Sequence, residues 1–343
     1  MQMVKIYQNK IKTKTWLFVL ISAILFIVFF LVALMVGRYT IGFKQFFLAL
    51  FTSDPSYQME RNIIVNLRLP RTIIAGLSGI ALSISGLLYQ ETFKNELVSP
   101  DLLGVSNGSG VGAALAIVAG LATGFVSLFS FIFGIGTVVA VVFLARAFKS
   151  RRNITLLLSG IIVSGLMASV LSLVKYFAKP DTQLAEITFW LMGSFASTTY
   201  LEVWIMLPII VVCTVVLLCF RWRLNIIALG REEAQSKGLN YKVYRVVIIG
   251  IATLLTATSV AFCGTIAWVG LVIPHMVRLI AGKNTVKSLP LCVTFGGLFM
   301  IIVDIFCRTF TAAEIPVSAI TGIFGIVVFA VILITKRRNF YEY

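Results

Sequence analysis

Apolar residues run through this chain in long blocks separated by short polar breaks. A helix needs about 20 apolar residues to cross the hydrocarbon layer of a membrane. Blocks of that kind predict spans near 16–36, 68–90, 99–119, 123–145, 154–177, 200–220, 243–263, 266–282, 286–307 and 315–335. The third and eighth hold short apolar runs interrupted by Gly, Pro or polar residues. The pattern therefore predicts an all-α polytopic membrane protein with ten transmembrane helices, forming one transmembrane domain over residues 1–343. Lys5, Lys10, Lys12 and Lys14 precede the first block. That block is too long for the core of a signal peptide, and no small-residue cleavage site follows it, so a retained first span is expected.

The stretch from Arg68 to Gly112 departs most from a plain membrane helix. It opens on Arg68, Pro70 and Arg71, continues through an apolar run dotted with small residues, and breaks at the polar segment Gln90 to Pro100. Ala75, Gly79 and Ser83 fall four apart, as do Gly104, Gly108 and Gly112. Small residues at that spacing let helix backbones approach closely in lipid. A faint internal repeat is also present. Gly76 is followed 21 residues later by Leu97, Val98 and Pro100, and Gly250 at the same distance by Leu271, Val272 and Pro274. Five spans separate the copies, which reverses their direction across the membrane, as in the inverted repeats of transporters.

Composition supports the membrane reading. Hydrophobic residues make up 59% of the 343 residues and charged residues 12%, against about 25% charged in a soluble domain. The net charge of +16 is carried by loops between the apolar blocks, which points to membrane orientation and away from nucleic acid. With ten spans, 21 of the 29 Lys and Arg residues fall on the side of both termini and 8 on the other. Both termini, with Lys336, Arg337 and Arg338 at the C-terminal end, are therefore expected in the cytoplasm. Arg68, Arg71 and Arg308 lie on the external side, where the rule disfavours them. Headgroup contact, local pairing such as Asp304 with Arg308 at i,i+4, and a cationic rim for an acidic partner all account for them.

Catalytic chemistry is poorly represented. His275 is the single histidine, and Asp101, Glu202, Asp304 and Glu314 show no paired spacing. Cys213, Cys219, Cys263, Cys292 and Cys307 sit in apolar runs with no CxxC pair. No metal or cofactor site is expected, and the chain lacks the GxxxxGK[ST] phosphate loop, so any ATP-driven step needs a separate ATPase. The longest loop on the cytoplasmic side, residues 221–242, carries an expected short helix from Ala228 to Lys237 that Gly238 stops. It reads either as a solvated connector or as a docking element for a partner.

Several motifs in order give this sequence a resemblance to the FecCD-type permeases of ABC importers for iron–siderophores, haem and cobalamin. They are LRLPRT at Leu67–Thr72, ALSISG at Ala81–Gly86, SPDLLGVSNG at Ser99–Gly108, GxxxAxxxG at Gly230–Gly238, GLVIPHMVR at Gly270–Arg278, VDIFCR at Val303–Arg308 and EIPVS at Glu314–Ser318. The resemblance implies a non-catalytic, multi-pass subunit of a bacterial cytoplasmic membrane, with the fold of a cobalamin permease. It implies a second permease subunit, two cytoplasmic ATPases that dock on the 221–242 loop through Gly230, Glu233, Ala234 and Gly238, and an external substrate-binding protein. That protein would dock at Arg68, Arg71 and Arg308, and the cytoplasmic gate would map onto Asn95 and Leu97. Ferric siderophore is the expected cargo, with haem or cobalamin as alternatives. An ion-coupled secondary carrier using Asp304 and His275 is the reading from another class. The sequence departs from the family pattern at Ala267 and Trp268, where Gly and Phe are usual, at Glu96, where Pro is common, and at Ser318, where Gly is usual.

Overall fold

A computed structural model describes residues 2–52, 54–148, 153–311 and 313–338. Lys149, Arg151 and Arg152, three of the 29 Lys and Arg residues counted above, lie outside the described residues. The side chains of the N-terminal lysines and of Lys336, Arg337 and Arg338 lie outside them too. Among the described residues the fold is helical throughout, without strands. The long helices are α1 (Gln2–Met35), α4 (Leu69–Phe93), α6 (Thr123–Ala147), α7 (Asn153–Phe177), α9 (Tyr200–Leu229), α11 (Tyr241–Cys263), α13 (Thr285–Thr309) and α14 (Val317–Arg338). Shorter ones are α2 (Phe43–Phe51), α3 (Gln58–Asn62), α5 (Val105–Val118), α8 (Ala185–Met192), α10 (Arg231–Ser236) and α12 (Val269–Ala281). Among the described residues seven segments are long and apolar enough to cross a membrane. Shorter apolar helices at Val105–Val118, Val269–Ala281 and Val317–Val331 occupy the places of the expected third, eighth and tenth spans.

Three stretches differ from expectation. The second block begins well before residue 68, because α3 continues through a π-helical segment, Ile63–Arg68, straight into α4. Pro70 explains the change of pitch. A proline inside a helix has no N–H and its ring crowds the carbonyl four residues back, here Asn66. Widening to i→i+5 bonds just upstream relieves that clash, and Leu69 N–H reaches Ile64 O across the wider turn. Second, α9 does not stop at residue 220 but runs on through RWRLNIIAL to Leu229. The short helix expected from Ala228 is instead α10, separated from α9 by Gly230. Third, FKQFFLALF (α2) and AEITFWLM (α8) fold as helices outside the expected spans; at 9 and 8 residues they are too short to register as spans.

α4 is the axis of the molecule. It packs on α13, α11, α12 and α9. Of the apolar window in Pro55–Phe93, 89% is buried, against 17% of that in Trp16–Met35, so α1 belongs to the perimeter. The small-residue stripe of α4 makes this centrality possible. A Cβ added at Gly86 would collide with the Gly270 carbonyl of α12, and one at Gly79 with the Gly296 carbonyl of α13. With the backbones this close, Ser83 donates to the Cys292 carbonyl at 2.7 Å, and Ser85 meets Thr256 at 2.5 Å. Gly108 and Gly112 do the same for α5 against α6, where the Phe133 and Phe129 carbonyls leave no room for a side chain. The two copies of the internal repeat also meet, since Gly270 of the second packs against the Pro100 ring of the first.

Candidate functional site

The residues singled out in the sequence lie at the two ends of α4, which its 25 residues separate by roughly 37 Å at 1.5 Å per residue.

At the first end the three arginines converge, but inward. Arg68, Arg71 and Arg308 are only 6%, 8% and 5% exposed, so they do not project as a cationic rim. Arg68 donates from Nη1 to the Leu34 carbonyl at 3.0 Å and the Met35 carbonyl at 2.8 Å, and from Nη2 to the Tyr39 carbonyl. The Leu34 and Met35 carbonyls are open at the end of α1, where a cation also suits the helix dipole, and Tyr39 lies in the loop that follows. Arg308 donates to the Ala33 carbonyl at 2.5 Å and faces Asp304 at 3.3 Å, so the i,i+4 pair read from the sequence is present. Arg71 binds Asp304 at 2.7 Å and Glu314 at 2.6 Å. Asp304 is fully buried between two guanidiniums. Together the trio ties α1, α4, α13 and the turn before α14 into one cluster. Its Arg71 Nη2 is buried without a hydrogen-bond partner among the described residues. At the margin, Tyr39 donates to Glu60 at 3.0 Å, and that carboxylate pushes the Tyr39 phenol up.

At the second end α4 stops on Lys94, whose left-handed backbone (φ 52°) turns the chain back. The turn is closed by Asn95, whose Oδ1 accepts from Leu97 N–H at 2.9 Å, an Asx turn. Leu97 is 59% exposed at the tip, while its neighbour Val98 is buried. Behind the turn Arg278 of α12 donates to Gln90 and, at 3.2 Å, to Glu91. Glu96 lies 3.7 Å from His275 and 3.4 Å from Lys283. The departure at Glu96 is thus accommodated by two basic partners from the α12 side.

The same turn touches the start of the α10 loop. The Lys94 ammonium donates to the carbonyl of Leu229, the last residue of α9. Gly230 follows at φ 119°, a region closed to residues with a Cβ, and a side chain there would also strike the Lys94 ammonium. Ala234 is buried and anchors α10, with Leu239 N–H bound to its carbonyl at 2.9 Å. Glu233 is exposed, and Gly238 takes φ 73° just beyond the helix. The structure thus brings Asn95 and Leu97 together with Gly230 and its loop, and sets both apart from the arginine cluster.

Some of these contacts leave no mark in sequence. Lys94 sits in a polar segment and carries no spacing signal for Leu229, 135 residues on. Arg71 reaches Asp304 and Glu314 across 233 and 243 residues. The departures at Ala267, Trp268 and Ser318 prove to be neighbours. Ser318 Oγ donates to the Thr265 carbonyl at 3.1 Å and accepts from Ala267 N–H at 3.4 Å, beside Trp268 at φ 71°. Among the described residues no group of three His, Cys, Asp or Glu side chains is placed to hold a metal ion.

Comparison with known proteins finds relatives along most of the chain. The profile of the FecCD transport family matches residues 25–335. The molybdate import system permease protein MolB of Haemophilus influenzae is 33% identical over 319 residues, covering 92% of this chain and 95% of MolB. A Helicobacter pylori protein named "Probable iron chelatin transport system permease protein" is 33% identical over 275 residues, covering 80% of this chain and 83% of that protein. A solved ABC transporter described as of metal-chelate type, in an inward-facing conformation, superimposes with a TM-score of 0.84 at 33% identity, covering 92% of this chain and 98% of that one.

Proposed function

The chain belongs to the FecCD transport family, and from that premise we propose that it is the permease subunit of an ATP-driven, binding-protein-dependent importer in the cytoplasmic membrane of a bacterium. It works with a second permease subunit, two cytoplasmic ATPases and an extracytoplasmic binding protein. The chain itself performs no chemistry. The observation that carries this reading is the contact of Lys94 with Leu229. It puts the Asn95–Leu97 turn in direct mechanical touch with the loop of α10. In this reading α10, with Gly230, Glu233, Ala234 and Gly238, receives the ATPase, and closure of the ATPases shifts the end of α9. The movement passes through Lys94 to the turn, and the exposed Leu97 closes or opens the path.

At the opposite end the binding protein docks on the face carrying Arg68, Arg71 and Arg308. Two of these guanidiniums hold the end of α1 in place. Arg71 retains one buried nitrogen that no described group of this chain satisfies, which a carboxylate of the binding protein takes up when docking opens the cluster.

Ferric siderophore is the proposed cargo. The identity to the iron chelatin permease supports it. Molybdate is the second reading, favoured by the length over which MolB aligns. Reconstitution with the partner ATPases and the binding protein, followed by uptake of radioactive iron as siderophore and of radioactive molybdate, decides between them. ATP-dependent uptake of the chelate and not of molybdate is expected. Uptake of molybdate alone replaces the first cargo by the second. Accumulation of either one driven by a proton gradient without any ATPase would sink the ABC reading itself.

A further inference from the structure

A cavity of about 310 Å³ opens at the α10 end of the bundle, between the end of α6, the start of α7 and the start of α11. Its walls are of two kinds. Val142, Ala145, Leu156, Val246 and Ile249 line it with hydrocarbon. Arg146, Arg231, Lys242 and Arg245 bring four cations to it and no lining residue is a carboxylate. Among the described residues none of the four forms an ion pair within 4.0 Å. The buried Nε of Arg245 has no hydrogen-bond partner among them either.

Arg146, Arg231 and Lys242 are exposed and Arg245 is half-buried. Four like charges gathered at one pocket repel one another, and the buried guanidinium N–H of Arg245 without an acceptor costs desolvation energy. Such an arrangement is stable when an anion occupies it. The apolar half shows which anion. Val246 is 57% exposed, and Val243 and Val247 beside it on α11 are 55% and 49% exposed. These valines continue the wall of the cavity onto the outer surface of a helix that is long and apolar enough to span a membrane. A soluble phosphate has no use for that wall, and an acidic protein surface would leave it wet. A phosphodiester on an acyl glycerol satisfies both halves, with its phosphate at the cations and its chains along the valines.

We propose that this cavity is a binding site for an anionic phospholipid, with the phosphate held by Arg146, Lys242 and Arg245 and Arg231 of α10 as the fourth contact. Because Arg231 opens α10, the lipid would join the loop helix to the ends of α6 and α11.

The test is native mass spectrometry of the purified full chain, titrated with phosphatidylglycerol or phosphatidylcholine, with inorganic phosphate and ATP as soluble competitors. Selective retention of phosphatidylglycerol is expected, unaffected by either competitor at millimolar concentration. Each of R146Q, K242Q and R245Q should weaken retention about fivefold. The control R221Q, at a cation that lines a different cavity, should leave it unchanged, and R245K, which keeps the charge, should restore most of what R245Q loses. Equal retention of both lipids, or equal retention by wild type and R245Q, would overturn the proposal. Displacement by phosphate or ATP would replace the lipid by a soluble ligand. Loss of ATPase association in the variants with lipid retention intact would mark the cations as a protein-docking patch instead.

Discussion

Arg71 and Asp304 stand 233 residues apart in the chain and meet at 2.7 Å, joining the first turn of α4 to the last turns of α13. Asp304 has no exposed surface, and Arg308 faces its other oxygen. Breaking a buried pair from one side costs about 3–5 kcal/mol, because the remaining charge stays buried and uncompensated. Asp304→Asn leaves two guanidiniums in that position. Thermal unfolding in detergent should therefore show a marked drop in midpoint. The triple variant Arg71→Met, Asp304→Leu, Arg308→Met, which removes both guanidiniums that Asp304 compensates, should recover part of it, since well-packed apolar residues can replace a buried ionic triad. An Asp304→Asn protein that melts with the wild type would show that the cluster does not hold this end together.

Lys94→Met removes the ammonium that binds the Leu229 carbonyl, while its apolar stem remains. The transmission step proposed above then loses its strut without losing the docking helix. Reconstituted Lys94→Met should still bind the ATPases and hydrolyse ATP, with uptake per ATP reduced about tenfold, the equivalent of one charge-assisted hydrogen bond of ~1.5 kcal/mol. Gly230→Ala should reproduce the defect, because its φ of 119° and the nearby ammonium both exclude a Cβ. Unchanged coupling in both variants would remove Lys94 from the pathway.

The helical architecture was open to sequence reading because membrane spans are written in composition over about 20 residues. The ends of those spans were less so. Nothing in RWRLNIIAL distinguishes a loop with three arginine or asparagine side chains from a helix that projects past the apolar block, and α9 takes the second course to Leu229. Pro70 marks a local anomaly, but the π segment upstream of it also needs the α3 residues, which lie before the expected second span. The arginines show the limit most clearly. The charge count marks all three as exceptions to the expected orientation, and the i,i+4 spacing marks Asp304 as a partner of Arg308. Their burial was not visible there, because it depends on Glu314 and on the α1 carbonyls of Ala33, Leu34 and Met35, which only the tertiary fold delivers.

Two glycines of equal helical context should respond oppositely to the same substitution. Gly86 faces the Gly270 carbonyl so closely that a methyl group cannot fit without moving α12. Gly250 of α11 has nothing within 4 Å of the added Cβ. Gly86→Ala should destabilise by about 1–3 kcal/mol through overpacking. Gly250→Ala should be neutral or stabilising by up to about 1 kcal/mol through helix propensity. Melting curves of the two variants under one set of detergent conditions check the contrast, and similar shifts in both would show that the α4–α12 contact is looser than the structure has it.

Docking at the arginine end can be separated from its structural role by comparing Arg71→Lys with Glu314→Gln. Lysine keeps the charge beside Asp304 but has no second branch to offer a carboxylate. Binding-protein affinity, measured by surface plasmon resonance on the reconstituted permease, should fall about tenfold, since a lost charge-assisted hydrogen bond is worth ~1.5–3 kcal/mol. The melting midpoint falls too, because one ammonium cannot reach both Asp304 and Glu314. Glu314→Gln, which loosens the same ion pair but keeps Nη2, should instead lower the midpoint with affinity retained. Full affinity in Arg71→Lys would place the docking contacts elsewhere on that face.

Ser318 offers a final test, of how this chain tolerates departures from its family pattern. Glycine is the usual residue at that position, yet here the hydroxyl spans a turn, donating to the Thr265 carbonyl and accepting from Ala267 N–H. The turn delivers Trp268 at φ 71°, a conformation that a bulky residue adopts only when its surroundings impose it. The Trp268 ring is held in turn by Phe329, with centroids 6.5 Å apart, and by close contact with Gly325. Ser318→Gly removes both hydrogen bonds and adds backbone freedom at the start of α14. Ser318→Ala removes the bonds alone. Each should lower stability by about 1–2 kcal/mol, the worth of two neutral hydrogen bonds of which one is long. In the background Trp268→Gly, which takes the left-handed conformation without strain, the cost of Ser318→Gly should shrink by about half. A double-mutant cycle read by thermal unfolding measures that coupling. Strict additivity would mean that the serine does not brace the turn and that the two departures from the family pattern are independent.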